Sequence, residues 1–168
     1  KSLETHGVFY VPLSEENDLS AGKHSVTVIA TDIHGVCGNP VTSAFVSMGK
    51  APAIEDGKIN SSLGTESVFT GITIHPESNP KYETTVLSAC GISSVAWQLN
   101  WGDNGSKTGE VALKGGEKSV PVSIALGDAD IAYGAVNLTI TAIDIYNRAS
   151  QKIELVNLLD LTQINVEN

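Results

Sequence analysis

The sequence predicts an all-β protein made of repeated units. Three observations carry that expectation: apolar and polar residues alternate along most of the chain, turn-forming residues punctuate the alternation, and one strand-and-turn segment occurs twice. No segment sustains the i, i+3, i+4, i+7 apolar spacing of an amphipathic helix. Charged residues make up 17% of the 168 positions, below the ~25% of an average globular chain, and aromatics only 5%, so burial rests on Val, Ile, Leu and Ala. β-Branched residues between turn-formers suit a pleated, half-buried surface.

The alternation places strands at Gly7–Leu13, His24–Thr31, Val41–Ser47, Ser67–Ile74, Ile92–Trp101, Gly109–Leu113, Ser119–Ala125, Val136–Ile143 and Gln151–Asn157. Gly, Pro, Asn and Asp separate them, and Leu113-Lys-Gly-Gly-Glu117 reads as a hairpin turn.

The repeat organises these strands. His24-Ser-Val-Thr-Val-Ile-Ala-Thr-Asp-Ile-His-Gly35 aligns without gaps on Val136-Asn-Leu-Thr-Ile-Thr-Ala-Ile-Asp-Ile-Tyr-Asn147. Val26, Val28 and Ala30 then match Leu138, Ile140 and Ala142, one apolar stripe at period two. Asp32 matches Asp144, and each turn closes on Gly35 or Asn147, residues that tolerate positive φ. Upstream, Val11-Pro-Leu-Ser14 resembles Val120-Pro-Val-Ser123. The shared job expected of Asp32 and Asp144 is turn-making, the carboxylate accepting backbone N–H bonds.

A period of roughly 110 residues fits one immunoglobulin-like sandwich per repeat. The expected domain map is residues 1–49 as the C-terminal strands of a first repeat, 50–52 as a linker, 53–161 as a complete repeat, and 162–168 as a tail or linker to a following domain. Three strands alone would leave an open edge and an uncovered apolar face. Residues 1–49 are therefore expected to pack on another chain, on a removed fragment or on the second repeat.

The segment Ser25-Val-Thr-Val-Ile-Ala-Thr-Asp-Ile-His-Gly35 and its copy Leu138–Asn147 resemble the next-to-last strand of bacterial immunoglobulin-like and cadherin-like repeats. Val68-Phe-Thr-Gly71 is similar to the glycine-bearing second strand of such repeats, and Gly91–Leu99 to the third. Trp101-Gly-Asp-Asn-Gly105 resembles the turn motif of polycystic-kidney-disease-type sandwiches, with its aromatic and closing Asp-Gly displaced. The resemblance implies tandem β-sandwich repeats of a secreted or cell-surface bacterial protein, joined to neighbouring domains of the same kind.

Composition excludes several classes. A net charge of −9 with no basic run argues against nucleic acid and anionic membrane surfaces as partners. No stretch reaches the ~18 consecutive apolar residues of a membrane span, and the N-terminus lacks the regions of a signal peptide, so the segment is expected to be soluble and part of a longer chain. Cys37 and Cys90 fit no metal-ligand spacing and are expected to remain free thiols. His6, His24, His34 and His75 are scattered singly, and no Gly-x-Ser-x-Gly elbow or phosphate loop occurs. No catalytic residue and no cofactor is expected, and the chain is not expected to be an enzyme.

Two weaker possibilities were carried by particular residues. Trp97 and Trp101 lie on one strand face with Val95 and Leu99; they read as core, but exposed rings at Trp97, Trp101, Tyr82 or Tyr133 would form a platform for stacking on sugars. Asp103, Asp128 and Asp130 lie in predicted loops and are Ca²⁺ candidates, although the chain has no calcium-loop motif. The expected function is that of a non-catalytic extracellular spacer or adhesive repeat meeting protein or glycan at the cell surface. The alternative is an accessory, carbohydrate-binding module of a secreted hydrolase.

Overall fold

The computed structural model describes residues 19–67, 72–74, 78–127, 131 and 134–158. The predicted strand at Gly7–Leu13 and the segment Val68–Gly71 lie outside the described residues. The chain divides into two compact units, Lys1–Gly49 and Lys50–Asn168. All regular elements among the described residues longer than a single turn are strands, as expected of an all-β protein.

In unit 1, strands β1 (Gly22–Val28) and β2 (Val41–Ser47) form an antiparallel hairpin in register from Gly22↔Ser47 to Val28↔Val41. One face carries His24, Val26 and Val28 opposite Phe45, Ser43 and Val41, with the His24 ring stacked on Phe45 at a centroid distance of 5.5 Å. His24, Val26, Val28 and Phe45 are half-buried, whereas Ile29, Ile33, Val36, Val41 and Val46 are exposed.

Unit 2 contains β3 (Ala53–Ile54), β4 (Lys58–Ser61), β5 (Gly64–Ser67), β6 (Ile72–Ile74), β7 (Lys81–Leu87), β8 (Ile92–Trp101), β9 (Gly105–Glu110), β10 (Ser119–Ala125), β11 (Gly134–Asp144) and β12 (Ala149–Leu158). One sheet runs β10-β7-β4-β5, with β3 also paired to β7; the other runs β6-β12-β11-β8-β9. All pairings are antiparallel except that of β6 with β12.

Period-two alternation turns one row of each strand inward. Tyr82 and Val86 of β7, Val120, Val122 and Ile124 of β10, Val95 and Leu99 of β8, Val136, Leu138, Ile140 and Ala142 of β11, and Val156 and Leu158 of β12 join one hydrophobic cluster. Each large aliphatic side chain removed from water there stabilises the unit by ~1.5–3 kcal/mol. A register shift where Asp144 pairs with Ile92 gives β8 an extra residue, which is why Ser93 and Ser94 are both exposed between buried Ile92 and Val95.

The structure departs from the expected strands: β3 and β4 were not expected, and β5 ends at Ser67 and β6 begins at Ile72 where one strand, Ser67–Ile74, was expected. β7 precedes β8 but was not expected, because its inward row is interrupted by Thr84. The strand after β8 is Gly105–Glu110 rather than Gly109–Leu113. Leu113–Glu117 is not a hairpin turn, since β9 and β10 belong to different sheets; it crosses between them. There the Glu117 carboxylate accepts the backbone N–H of Lys114 at 2.6 Å and of Gly115 at 2.8 Å, which holds its pKa below the usual value.

Candidate functional site

The two aligned aspartates build the same turn. Asp32 Oδ1 accepts the backbone N–H of His34 at 2.8 Å and of Val36 at 2.9 Å; Asp144 Oδ1 accepts those of Tyr146 at 2.9 Å and Arg148 at 3.0 Å. The backbone bonds repeat as well: Gly35 N donates to Asp32 O and Asp32 N to Val36 O, as Asn147 N does to Asp144 O and Asp144 N to Arg148 O. Gly35 and Asn147 close the turns at φ of 81° and 60°, in the left-handed region. A short side chain ending in an acceptor oxygen suits this turn, because that oxygen reaches the N–H groups two and four residues on.

The copies differ at one position. Val36 follows the first turn, whereas Arg148 follows the second and grips Asp144 Oδ2 through Nε at 2.8 Å and Nη2 at 2.7 Å. The carboxylate is fully buried. Burial raises its pKa, but the Arg148 backbone N–H, the guanidinium, the Tyr146 N–H and the Cys90 thiol together outweigh that and hold it below the ordinary value.

Cys90, just before β8, completes the cluster. Its thiol donates to Asp144 Oδ2 at 3.4 Å, lies 3.3 Å from Ser88 Oγ, and receives a bond from Arg148 Nη2 at 3.3 Å. Arg148 Nη2 also donates to the Lys50 carbonyl at 3.0 Å. Every acceptor position of the carboxylate is thus turned toward a donor of the same fold, and none faces an approaching substrate. Among the described residues, no buried side-chain N or O lacks a hydrogen-bond partner.

A second polar group ties the two sheets together. Lys152 Nζ donates to Glu55 O at 2.8 Å and to Asp56 Oδ1 at 2.9 Å, and lies 3.4 Å from Glu154 Oε1, which also accepts the Tyr82 hydroxyl at 3.5 Å. Burial and the neighbouring Glu154 raise the pKa of Tyr82, so it remains a protonated donor. Its ring is fully buried and sits directly against Gly57. Tyr82 is therefore a core residue and offers no platform to a sugar.

Trp97 and Trp101 are partly buried and pack against the core. Each indole also lies across a glycine of β9, Trp101 opposite Gly105 and Trp97 opposite Gly109. A glycine there leaves the space that the ring of the adjacent strand fills. Tyr133, Asp128 and Asp130 lie outside the described residues. Asp103 is exposed in the β8–β9 turn, and the described residues contain no group of three or more His, Cys, Asp or Glu that could hold a metal ion. Cys37 is an exposed free thiol and Cys90 a half-buried one.

Sequence reasoning paired the two aspartates but missed Arg148 and Cys90. The signal available was the Val36/Arg148 difference within an otherwise matched turn, which puts a cation four residues after one carboxylate only.

The chain is thus an all-β protein in which, among the described residues, the fully buried carboxylate of Asp144 is committed to a turn. No protein-family model matches the sequence, and no curated protein is similar to it. Among solved structures, it is similar to the extracellular domain of a hybrid two-component system of B. thetaiotaomicron at 13% identity and a TM-score of 0.36, over 86% of this chain and 21% of that one. The chain therefore spans about a fifth of the length of that solved chain.

Proposed function

We propose that the chain is a non-catalytic, immunoglobulin-like module that serves as a spacer or interaction repeat in a secreted or surface protein. Support for the fold comes from the strand order of unit 2: β7 and β10 share one sheet while β8, β11 and β12 share the other, as the second and fifth strands and the third, sixth and seventh do in such sandwiches. The repeated aspartate turn supports a tandem arrangement, and a position outside the cell follows from that kind of repeat.

The observation that carries the non-catalytic reading is Asp144, whose carboxylate is saturated by turn N–H groups and a guanidinium. A general acid or base must be free to exchange its proton with a reacting group. The test is a screen of the pure chain against peptide and glycan substrates. No turnover is expected, and robust turnover abolished by a single substitution would overturn the reading.

A second reading, an accessory carbohydrate-binding module, is favoured by the incomplete burial of Trp97 and Trp101. Their fluorescence distinguishes the two: saturable quenching or a shift on titration with oligosaccharides supports sugar binding, and unchanged emission refutes it.

A further inference from the structure

We infer that Arg148 is a latch that pins the backbone at the start of unit 2 and protects the Lys50–Ala51 peptide bond from proteolysis. The inference is independent of the function proposed above.

Lys50 and Ala51 are both exposed, and strand pairing of this segment begins only at Ala53, opposite Leu87. The Lys50 carbonyl is nevertheless held at 3.0 Å by Arg148 Nη2, a residue 98 positions away in sequence. An arginine on a surface would lose much side-chain entropy in making such a bond. Here that freedom is already gone: Asp144 grips the guanidinium at two nitrogens, the turn fixes Asp144, and Cys90 Sγ lies 3.3 Å from the same Nη2. The planar fork takes the carboxylate through both Nε and Nη2 while Nη2 also reaches the carbonyl, a fixed geometry that a lysine's flexible point charge does not reproduce.

The bonded carbonyl belongs to the peptide bond that a lysine-specific protease would attack. Such an enzyme must draw an extended substrate into its cleft and turn the scissile carbonyl into its own oxyanion hole. While Arg148 holds that oxygen against the turn, the bond is unavailable, and cleavage waits for the latch to open. The first copy of the turn lacks the device, because Val36 stands at the matching position.

Limited trypsin digestion of the full chain, read by mass spectrometry, tests the inference. Arg148→Met should raise the rate of cleavage after Lys50 by about ten-fold or more, and by clearly more than after Lys107 of the same unit, which registers the general loosening caused by leaving Asp144 without its counter-charge. Cleavage after Lys23, which lies in unit 1, should be unchanged. Arg148→Lys keeps the charge beside Asp144 but loses the fork, and should also accelerate cleavage after Lys50. The wild-type chain supplies a measurement that needs no variant. Cleavage after Lys50 should quicken in urea too dilute to unfold the protein, since urea promotes the opening that exposes the bond. A wild-type rate indifferent to urea, or folded variants cut after Lys50 no faster than the parent, would overturn the latch.

Discussion

Replacing Gly109 by alanine sets two effects of opposite sign against each other. An alanine in place of a glycine with ordinary strand backbone reduces the freedom of the unfolded chain and stabilises by ~0.4–1 kcal/mol. The structure opposes this, because a Cβ at Gly109 would lie 2.3 Å from Trp97 Cζ2 and 2.5 Å from its Cε2. Ordinary carbon contacts need ~3.5 Å, so the indole must retreat by about 1.2 Å. Trp97 is partly buried and packs against the core, so its ring can retreat only by giving up part of that contact. Overpacking of this kind costs ~1–3 kcal/mol, which exceeds the entropic gain and leaves Gly109→Ala less stable by ~1–2 kcal/mol. Urea unfolding followed by tryptophan emission measures it, and since both tryptophans of the chain lie in unit 2, the signal reports that unit alone. In a Trp97→Leu background the penalty should largely vanish. A Gly109→Ala chain with an equal or higher urea midpoint and unchanged emission would refute the argument.

Other expectations follow from the polar clusters and the thiols. Asp144→Asn leaves a part-exposed guanidinium without its counter-charge and should cost ~1–3 kcal/mol in the same urea assay. Because the Asp144 carboxyl, facing the Arg148 guanidinium and the Cys90 thiol, is held below 3.8 in the folded state, the unfolded chain takes up that proton first. Its contribution is complete above the ordinary aspartate value and fades as pH falls through the depressed one, so wild-type stability should drop below about pH 4 with a steeper slope than that of Asp144→Asn. Tyr82→Phe loses a long bond to Glu154 and a hydrogen bond with Thr84 and should cost ~0.5–1.5 kcal/mol, whereas Tyr82→Ala empties a buried ring site at ~3–5 kcal/mol. A thiol-specific chromogenic reagent should label exposed Cys37 well before half-buried Cys90, and equal rates would contradict the cluster around Cys90.

The legibility of the strands followed their side chains. β2, β8 and β10 carry clean boundaries, with Pro40 before β2 and Gly91 and Gly102 flanking β8, and their predicted limits match the observed ones. β9 shows the opposite case: its inward positions are Gly105, Lys107 and Gly109, and the indoles of β8 fill the space above the two glycines. A strand without apolar side chains of its own is invisible to an alternation argument. β7 was hidden by Thr84, whose hydroxyl donates to the Glu55 carbonyl at 2.8 Å and so satisfies a polar group on the inward row. The aspartate turn could be read from the repeat because its bonds are local. The bond from Arg148 to Lys50 could not, since nothing in local sequence relates a guanidinium to a carbonyl so distant along the chain.

The parallel pairing of β6 with β12 has a mechanical consequence. Ile72, Thr73 and Ile74 lie beside Val156, Asn157 and Leu158, with the two strands pointing the same way. Tension drawing the chain before β6 away from the chain after β12 slides these strands past each other, so their bonds share the load and must rupture together. A hairpin such as β1–β2, whose ends lie side by side at Gly22 and Ser47, would instead peel open one pair at a time. Three residues of parallel ladder thus act as a shear clamp, resisting stretching far more than their number suggests.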